Sequence, residues 1–281
     1  MKDPNRIPAL NEPSLPADDA FLKARSLSVI LPAYNEAPNL VAAVERAMTV
    51  LPQLAEDYEV VVVDDGSTDQ TAALTQDLVA RFAPHVRVLR HPQNRGYGAA
   101  LRTGFLAARH DLVFYTDADN QFDIAELYWF LPVMDEYDMA VGFRVYRYDT
   151  VLRSIASWCY NRLVGVIFRV QVRDVDCAYK LMRRELIDKI DIECDDFFVD
   201  TELLARARKW NFRIAEKGVR HYPRLAGETT VRPSDIPRTL RVVARMWRQI
   251  YYPTKDQRAA TARRRDEAGA VEVLPEPVDA A

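Results

Sequence analysis

Four consecutive valines at 60–63 do more than any other stretch to limit what this chain can fold into. A strand with one face in water alternates apolar and polar residues, whereas a continuous β-branched run reads as a strand covered on both faces. The run ends in Asp64-Asp65-Gly66-Ser67-Thr68-Asp69 and gives way to a helical pattern over 69–82, with Ser67 and Gln70 spaced as a capping box. The same unit stands on either side of it. A short apolar run at 27–31 stops at Pro32 and leads through Ala33-Tyr34-Asn35-Glu36 to a helix over 38–50, with Pro38 in its first turn. A third strand, 86–90, precedes Asn94-Arg95-Gly96-Tyr97-Gly98 and a helix over 99–109, and a fourth, 111–115, follows. Strands alternating with helices imply right-handed crossovers and a mainly parallel sheet with helices on both faces, an α/β fold of Rossmann-like type.

The residues at the strand exits carry the functional information. Ligands bind parallel sheets at the carboxyl ends of the strands. Tyr34 and Glu36, Asp64 and Asp65, Gly96 and Gly98, and Asp117, Asp119 and Gln121 all fall just after such ends, hence on one rim. Turn residues without a ligand role would mark both rims alike. The stretch Tyr115-Thr116-Asp117-Ala118-Asp119-Asn120-Gln121 offers two carboxylates and an amide oxygen, hard donors that suit Mg²⁺ or Mn²⁺. Such ions complete their coordination with waters and substrate phosphates, so the stretch is where a metal and a diphosphate would meet. An acidic turn needs no metal, and that plain alternative stays open. Asp65 is an acceptor-only group suited to the N–H groups of a nucleobase, and Tyr34 offers a ring for stacking.

Other chemistry is excluded by pattern. There is no GxxxxGK[ST], and Gly96, Gly98 and Gly104 lack the GxGxxG spacing, which removes the P-loop and argues against a dinucleotide site. Cys159, Cys177 and Cys194 form no CxxC and read as reduced, mostly buried thiols. The four histidines form no HExxH. A net charge of −3 over 281 residues gives no sign of nucleic-acid binding.

Beyond 123 the pattern loosens. Helices are predicted over 124–135, 149–170 and 199–210, with a strand over 139–143 and a short apolar pair at 181–182. In the second of these helices Val151, Ile155, Trp158, Leu163 and Val166 could line one side, either against the sheet or toward a membrane. Asp200 and Glu202 sit near the start of the third, where carboxylates also suit the helix dipole. Between Arg206 and Arg248 there are twelve Lys or Arg against three acidic residues. Residues 234–253 form a basic amphipathic helix, a surface for anionic lipid, an acidic partner or solvent. Residues 1–25, with four prolines, read as a flexible extension, and 254–281 as a disordered tail. No run approaches the roughly 20 apolar residues of a membrane span, so the expectation is a cytoplasmic protein with at most peripheral membrane contact.

Four motifs in order carry a family resemblance: Pro32-Ala33-Tyr34-Asn35-Glu36, Asp64-Asp65-Gly66-Ser67-Thr68-Asp69, the run Gly96 to Gly104, and Asp117-Ala118-Asp119-Asn120-Gln121. Over 27–232 the chain resembles the family 2 inverting glycosyltransferases of GT-A fold, most of all the dolichyl-phosphate mannose synthase and polyprenyl-phosphate glucosyltransferase branch. The resemblance implies one catalytic domain over 26–233 that moves a hexose from GDP-mannose or UDP-glucose to polyprenyl phosphate. It implies that Pro32, Tyr34, Glu36, Val63 and Asp65 hold the nucleoside, and that Asp117, Asp119 and Gln121, with the Ala118 backbone, bind Mg²⁺ or Mn²⁺ on the diphosphate. Asp119, Arg144 and Arg153 would be the catalytic set, the two arginines receiving the lipid phosphate. Arg224 would reach the donor, and 174–180 would form the acceptor loop. The chain departs from the family in two places. Thr229-Thr230 replaces a usual Ser-Lys, leaving Arg232 as the nearest substitute, and Cys177-Ala178-Tyr179-Lys180 stands where Ser-Gly-Phe-Arg is more usual. A phosphate acceptor needs no strong base; a hydroxyl acceptor would, with Asp200 or Glu202 as candidates. A protein that binds nucleotide sugars without turnover is the remaining alternative. A membrane-anchoring partner protein is compatible with all of these.

Overall fold

The computed structural model describes residues 23–145, 151–222, 236–254 and 272–273. Its centre is a sheet in the order β7-β5-β6-β4-β1-β2-β3-β8. β1 (Ala24–Ala33), β2 (Ala55–Asp64), β3 (Val86–Arg90) and β4 (Leu112–Thr116) are mutually parallel, and the helices between them are α1 (Ala37–Leu54), α2 (Thr71–Phe82) and α3 (Tyr97–Ala107). This is the doubly wound arrangement the strand-helix alternation predicts.

The valine run behaves as its composition requires. Val60 and Val62 pack into one core with Val29, Leu31 and the inner faces of α1 and α2. Val61 and Val63 point through the sheet into the other core, with Ile30, Leu101 and Phe105 under α3. Both faces are covered, so every position of the run is fully buried. Gly104 lets α3 approach closely, because a Cβ there would lie 2.3 Å from Ile30 Cγ2 and 3.2 Å from Val63 Cγ2.

The second half breaks the parallel pattern. β6 (Tyr179–Arg183) runs antiparallel between β4 and β5 (Met139–Arg144), and β7 (Ile214–Val219), which the sequence does not announce, adds parallel to β5. Helices α4 (Val151–Phe168), α5 (Arg184–Lys189), α6 (Val199–Lys209) and α7 (Ile236–Tyr251) complete the fold.

Several expectations are corrected. The helix predicted over 124–135 is two 3₁₀ stretches, Ile124–Trp129 and Leu131–Asp135. Pro132 lacks an N–H and crowds the preceding turn, so a continuous α-helix could not pass through it. The Ser67–Gln70 capping box does not form: Ser67 Oγ accepts from Asn35 N, and Asp69 Oδ1 accepts from Thr71 N instead. On α4, Trp158 and Val166 are 63% and 79% exposed, while Val164 and Phe168 are buried, so of the two sides left open for that stripe these two residues take the outward one. Of the cysteines only Cys177 is buried; Cys159 is exposed and Cys194 half-buried. Within the tail expected to be disordered, β8 (Glu272–Val273) pairs antiparallel with β3. The extension over 1–25 lies mostly outside the described residues, but β1 already begins at Ala24.

Replacing Gly104 by alanine is expected to cost about 1–3 kcal/mol, the usual range for overpacking a tight core. Urea unfolding of Gly104→Ala against the parent measures it.

Candidate active site

The exits of β1, β2 and β4 lie side by side because the strands are in register, Pro32 opposite Val63 and Ala33 opposite Asp64. Their loops are stitched together by side chains. Asn35, with φ of 55°, accepts at Oδ1 from Thr68 N (2.9 Å) and Asp69 N (3.3 Å), and Asp64 Oδ1 accepts from Ser67 N (2.9 Å). Gly66, at φ +70°, is held where a Cβ would lie 2.4 Å from the Gln93 backbone, so the second and third exits interlock as well.

Asp65 anchors the third exit. Its Oδ1 accepts from Arg95 N (2.9 Å) and lies 2.6 Å from His91 Nδ1, and its Oδ2 accepts from Gly96 N (2.8 Å). His91 Nε2 in turn meets Thr103 Oγ1 at 2.9 Å. The carboxylate expected to read a nucleobase therefore first shapes the 91–96 loop, and Oδ2 retains one further acceptor position. Tyr34 is 44% exposed beside it, whereas Pro32 and Val63 are buried, Val63 completely. Val63 can support a nucleoside only by setting the strand's position. Glu36 is half-buried and accepts from Asn39 Nδ2 at 2.8 Å.

β4 delivers the carboxylates as expected. Asp119 is buried, its Oδ1 accepting from Gln121 N at 3.0 Å, and Ala118 is buried beside it. Asp117 Oδ1 accepts from Tyr97 Oη at 2.8 Å. Gln121 bridges to the end of β7: its Nε2 donates to Tyr222 O (3.1 Å), and Tyr222 N donates to Gln121 O (2.8 Å). The opposite end of that amide, Oε1, is the oxygen that can ligate. The loop is tied to α1 by Asn120 Nδ2 on Asn39 O and by the two-pronged Arg46–Asp123 pair.

These atoms fit a Mg²⁺ or Mn²⁺ ion. The donors are hard oxygens at one strand exit, and among the described residues no group of three or more His, Cys, Asp or Glu forms a self-sufficient metal cage. A set of two carboxylates and an amide is the incomplete kind that such ions complete with water and phosphate oxygens.

Opposite lies the loop that enters β6. Antiparallel pairing sets Tyr179 against Thr116 and Lys180 against Tyr115, so the 174–178 loop sits on the same rim as Asp117. Lys180 is fully buried; its Nζ donates to Cys177 O (2.7 Å) and Val175 O (3.1 Å) and pairs with Asp200 Oδ1, which also accepts from Tyr115 Oη. Arg144 grips Asp174 with two prongs, Nε on Oδ2 at 2.7 Å and Nη2 on Oδ1 at 2.8 Å. Burial lowers the Arg144 pKa, but the bonds and charge of Asp174 outweigh it and raise the value. The arginine expected to receive a phosphate thus already holds a carboxylate, with Nη1 as its remaining arm. The side chain of Arg153 and the whole of Arg224 lie outside the described residues.

Both proposed bases are committed. Asp200 is held by Lys180 and Tyr115. Glu202 accepts from Glu193 N and Cys194 N and pairs with Arg206. Asp176 is different. The residue reaches the surface, but protein atoms crowd its carboxyl, and this desolvation, followed by the charges of Asp200 and Asp174, pushes its pKa up to about 7. Sequence reading placed it in a loop without singling it out, because a raised pKa depends on neighbours that only the fold supplies. The contacts of Tyr97 and Tyr222 likewise come only from the fold, although a tyrosine between two glycines at a strand exit is a usable signal.

Residues 28–191 match the family profile described as Glycosyl transferase family 2. The chain belongs to glycosyl transferase family 2. Within the family it is 35% identical over 216 residues to glycosyltransferase AglD of Haloferax volcanii, an alignment that covers 73% of this chain and 34% of AglD. It is 31% identical over 225 residues to dodecaprenyl-phosphate galacturonate synthase of Rhizobium johnstonii, covering 79% and 65%. With dolichyl-phosphate beta-glucosyltransferase of Dictyostelium discoideum it shares 28% over 235 residues, covering 76% and 70%. The chain thus spans a third of AglD and just under two thirds of the Rhizobium protein. Glucosyl-3-phosphoglycerate synthase from Mycobacterium tuberculosis, solved with Mn²⁺, UDP-glucose and phosphoglyceric acid, has the same GT-A fold; the TM-score is 0.60 at 19% identity, over 80% of this chain and 79% of that one. This family 2 chain has the sheet and helix layers foreseen from its sequence.

Two outcomes follow from the part of the rim built by the loop entering β6. Lys180→Met leaves Asp200 buried without its cation and is expected to cost about 3–5 kcal/mol, measured by denaturant unfolding. Asp176 keeps its proton to about pH 7 when folded but releases it near the ordinary value of 3.8 when unfolded. The fold therefore loses stability as pH rises between those values. The melting temperature of the parent should fall relative to that of Asp176→Asn across that window.

Proposed function

We propose that this family 2 chain is a metal-dependent inverting hexosyltransferase that moves mannose or glucose from GDP-mannose or UDP-glucose to a polyprenyl phosphate, working peripherally at the cytoplasmic face of a membrane. The observation that carries this reading is the continuity of the rim. Asp65 holds Gly96, the next residue holds Asp117, and Thr116 is paired with Tyr179 at the acceptor loop. Sites for nucleoside, diphosphate and acceptor therefore adjoin without a gap. The names of the Rhizobium and Dictyostelium relatives, each a lipid-phosphate sugar transferase, support the acceptor class.

In this reading Tyr34 and the free position on Asp65 receive the base, and Asp117, Asp119 and Gln121 Oε1 hold the divalent ion. When bound, that ion supplies charge stabilisation to the departing nucleoside diphosphate. Arg144, kept in place by Asp174, offers its Nη1 arm to the acceptor phosphate. A phosphate is already a charged nucleophile, which agrees with Asp200 and Glu202 both being committed elsewhere. At the reacting centre Lys180 fixes the loop that carries Asp176, so the acceptor meets a rigid wall.

Membrane contact has a structural candidate. Val243, Met246 and Ile250 of α7 are buried against the body, so the apolar stripe of the basic helix is not what would enter lipid. Its outward side carries Leu240, Arg245, Trp247 and Arg248, and neighbouring α4 presents Trp158 and Val166. Aromatic and basic side chains together suit an interface with anionic headgroups. Among the described residues no helix is long and apolar enough to cross a membrane.

A hydroxyl acceptor is the second reading, favoured by Asp176: a carboxyl of a surface residue on the rim, with a pKa of about 7, is suited to general-base work. Incubating the protein with Mn²⁺ or Mg²⁺, radiolabelled GDP-mannose or UDP-glucose, and polyprenyl phosphate should move label into the lipid phase. Asp119→Asn should lower that rate by roughly 10²–10³-fold. Absence of lipid-extractable label with every donor overturns the lipid reading. Transfer to a soluble alcohol that collapses in Asp176→Asn would establish the hydroxyl one.

A further inference from the structure

We propose that Tyr97 is a positioning residue for the divalent cation, its phenol fixing the direction in which Asp117 offers its oxygens and Phe197 holding the phenol in place. The inference rests on the reading that Asp117 and Asp119 bind a cation, and adds a residue that acts on it only through another.

Tyr97 is the first residue of α3, and both sides of it are clamped. On one side Gly96 N donates to Asp65 Oδ2 at 2.8 Å, with Gly96 at φ +100°, a conformation open to glycine. On the other side Gly98 N donates to Asp195 O at 3.0 Å. The 193–198 loop lies so close over this turn that a Cβ on Gly96 would be 2.2 Å from Asp195 O, and one on Gly98 2.3 Å from Cys194 O. Arg102, itself buried, pins the same loop by pairing with Asp195 at 2.8 Å. The backbone under Tyr97 has no freedom to swing.

The side chain is constrained as well. Its ring stacks on Phe197, centroids 5.9 Å apart and planes 24° from parallel, and its hydroxyl donates to Asp117 Oδ1 at 2.8 Å. Phe197 is 71% exposed, an apolar ring kept at the surface where its one described ring partner is Tyr97. A hydrogen bond from a buried phenol to one oxygen restricts rotation of a carboxylate about its side-chain torsions, and so would help to set the bearing that Asp117 offers a cation. Partners of metal ligands commonly change metal affinity by 10–100-fold when removed. The loop bearing Phe197 also leads directly into α6, which carries Asp200, so one arm of the acceptor side touches the metal side through this stack.

The test is Mn²⁺ titration followed by electron paramagnetic resonance, with saturating UDP in one series and saturating GDP in another. Tyr97→Phe keeps the ring and its stack but lacks the hydroxyl; its Mn²⁺ dissociation constant is expected to rise about tenfold. In turnover the Mn²⁺ concentration for half-maximal rate should rise in step, while the rate at saturating Mn²⁺ stays near that of the parent. Phe197→Ala keeps the hydroxyl and should weaken Mn²⁺ in the same direction by less, which serves if Tyr97→Phe proves unstable. Parental Mn²⁺ affinity in folded Tyr97→Phe and Phe197→Ala overturns the proposal. If Asp117→Asn binds Mn²⁺ as the parent does, the cation reading itself fails, an outcome distinct from failure at Tyr97 alone.

Discussion

One buried carboxylate sets the geometry of the rim. Asp65 takes two backbone N–H groups and an imidazole from the 91–96 loop. Without those bonds the buried His91 ring would lose one partner and two half-buried backbone N–H groups would turn to water, with a cost of roughly 1–3 kcal/mol for the buried group. Because the loop is drawn onto β2, α3 starts where it does, and Tyr97 arrives over β4. The exits of β2, β3 and β4 are therefore parts of one hydrogen-bonded construction, and the parallel register of β1, β2 and β4 is what puts their exits within its reach.

The acceptor side is built on a different principle. There a buried lysine replaces backbone pairing as the organiser, tying two carbonyls of the 174–178 loop to a carboxylate on α6. Such a pair contributes less to net stability than to specificity of arrangement, since both ions lose hydration on burial. Asp176, on the same loop, is the cluster's acidic residue that reaches the surface. The departure from the family's usual arginine at Lys180 keeps the positive charge while giving a compact donor group that can cap carbonyls from below.

How much of this was legible in the sequence varied with the origin of each feature. The valine run, the strand exits and the oxygen-rich turn after β4 are local, and their residues announce strand, loop and donor chemistry on their own. β3 was read to the residue. What failed was set by contacts between distant segments. The antiparallel insertion of β6 and the addition of β7 depend on pairing across the sheet, which Tyr179–Arg183 and Ile214–Val219 do not encode by pattern. Trp158 and Val166 look like core residues by periodicity, yet Val164 and Phe168 fill the space against the body. Asp65, Asp200 and Glu202 stand out in the sequence as carboxylates at strand and helix ends, but only the fold supplies the partners through which they hold structure in place.

The reversal of chain direction at β6 has one more consequence. Donor loops in this fold leave their strands, whereas the loop facing them enters one. Its other end leads back to α4. Insertions or exchanges between α4 and β6 can therefore reshape that part of the rim while the doubly wound half keeps its register. One short connection can vary without disturbing the scaffold that carries it.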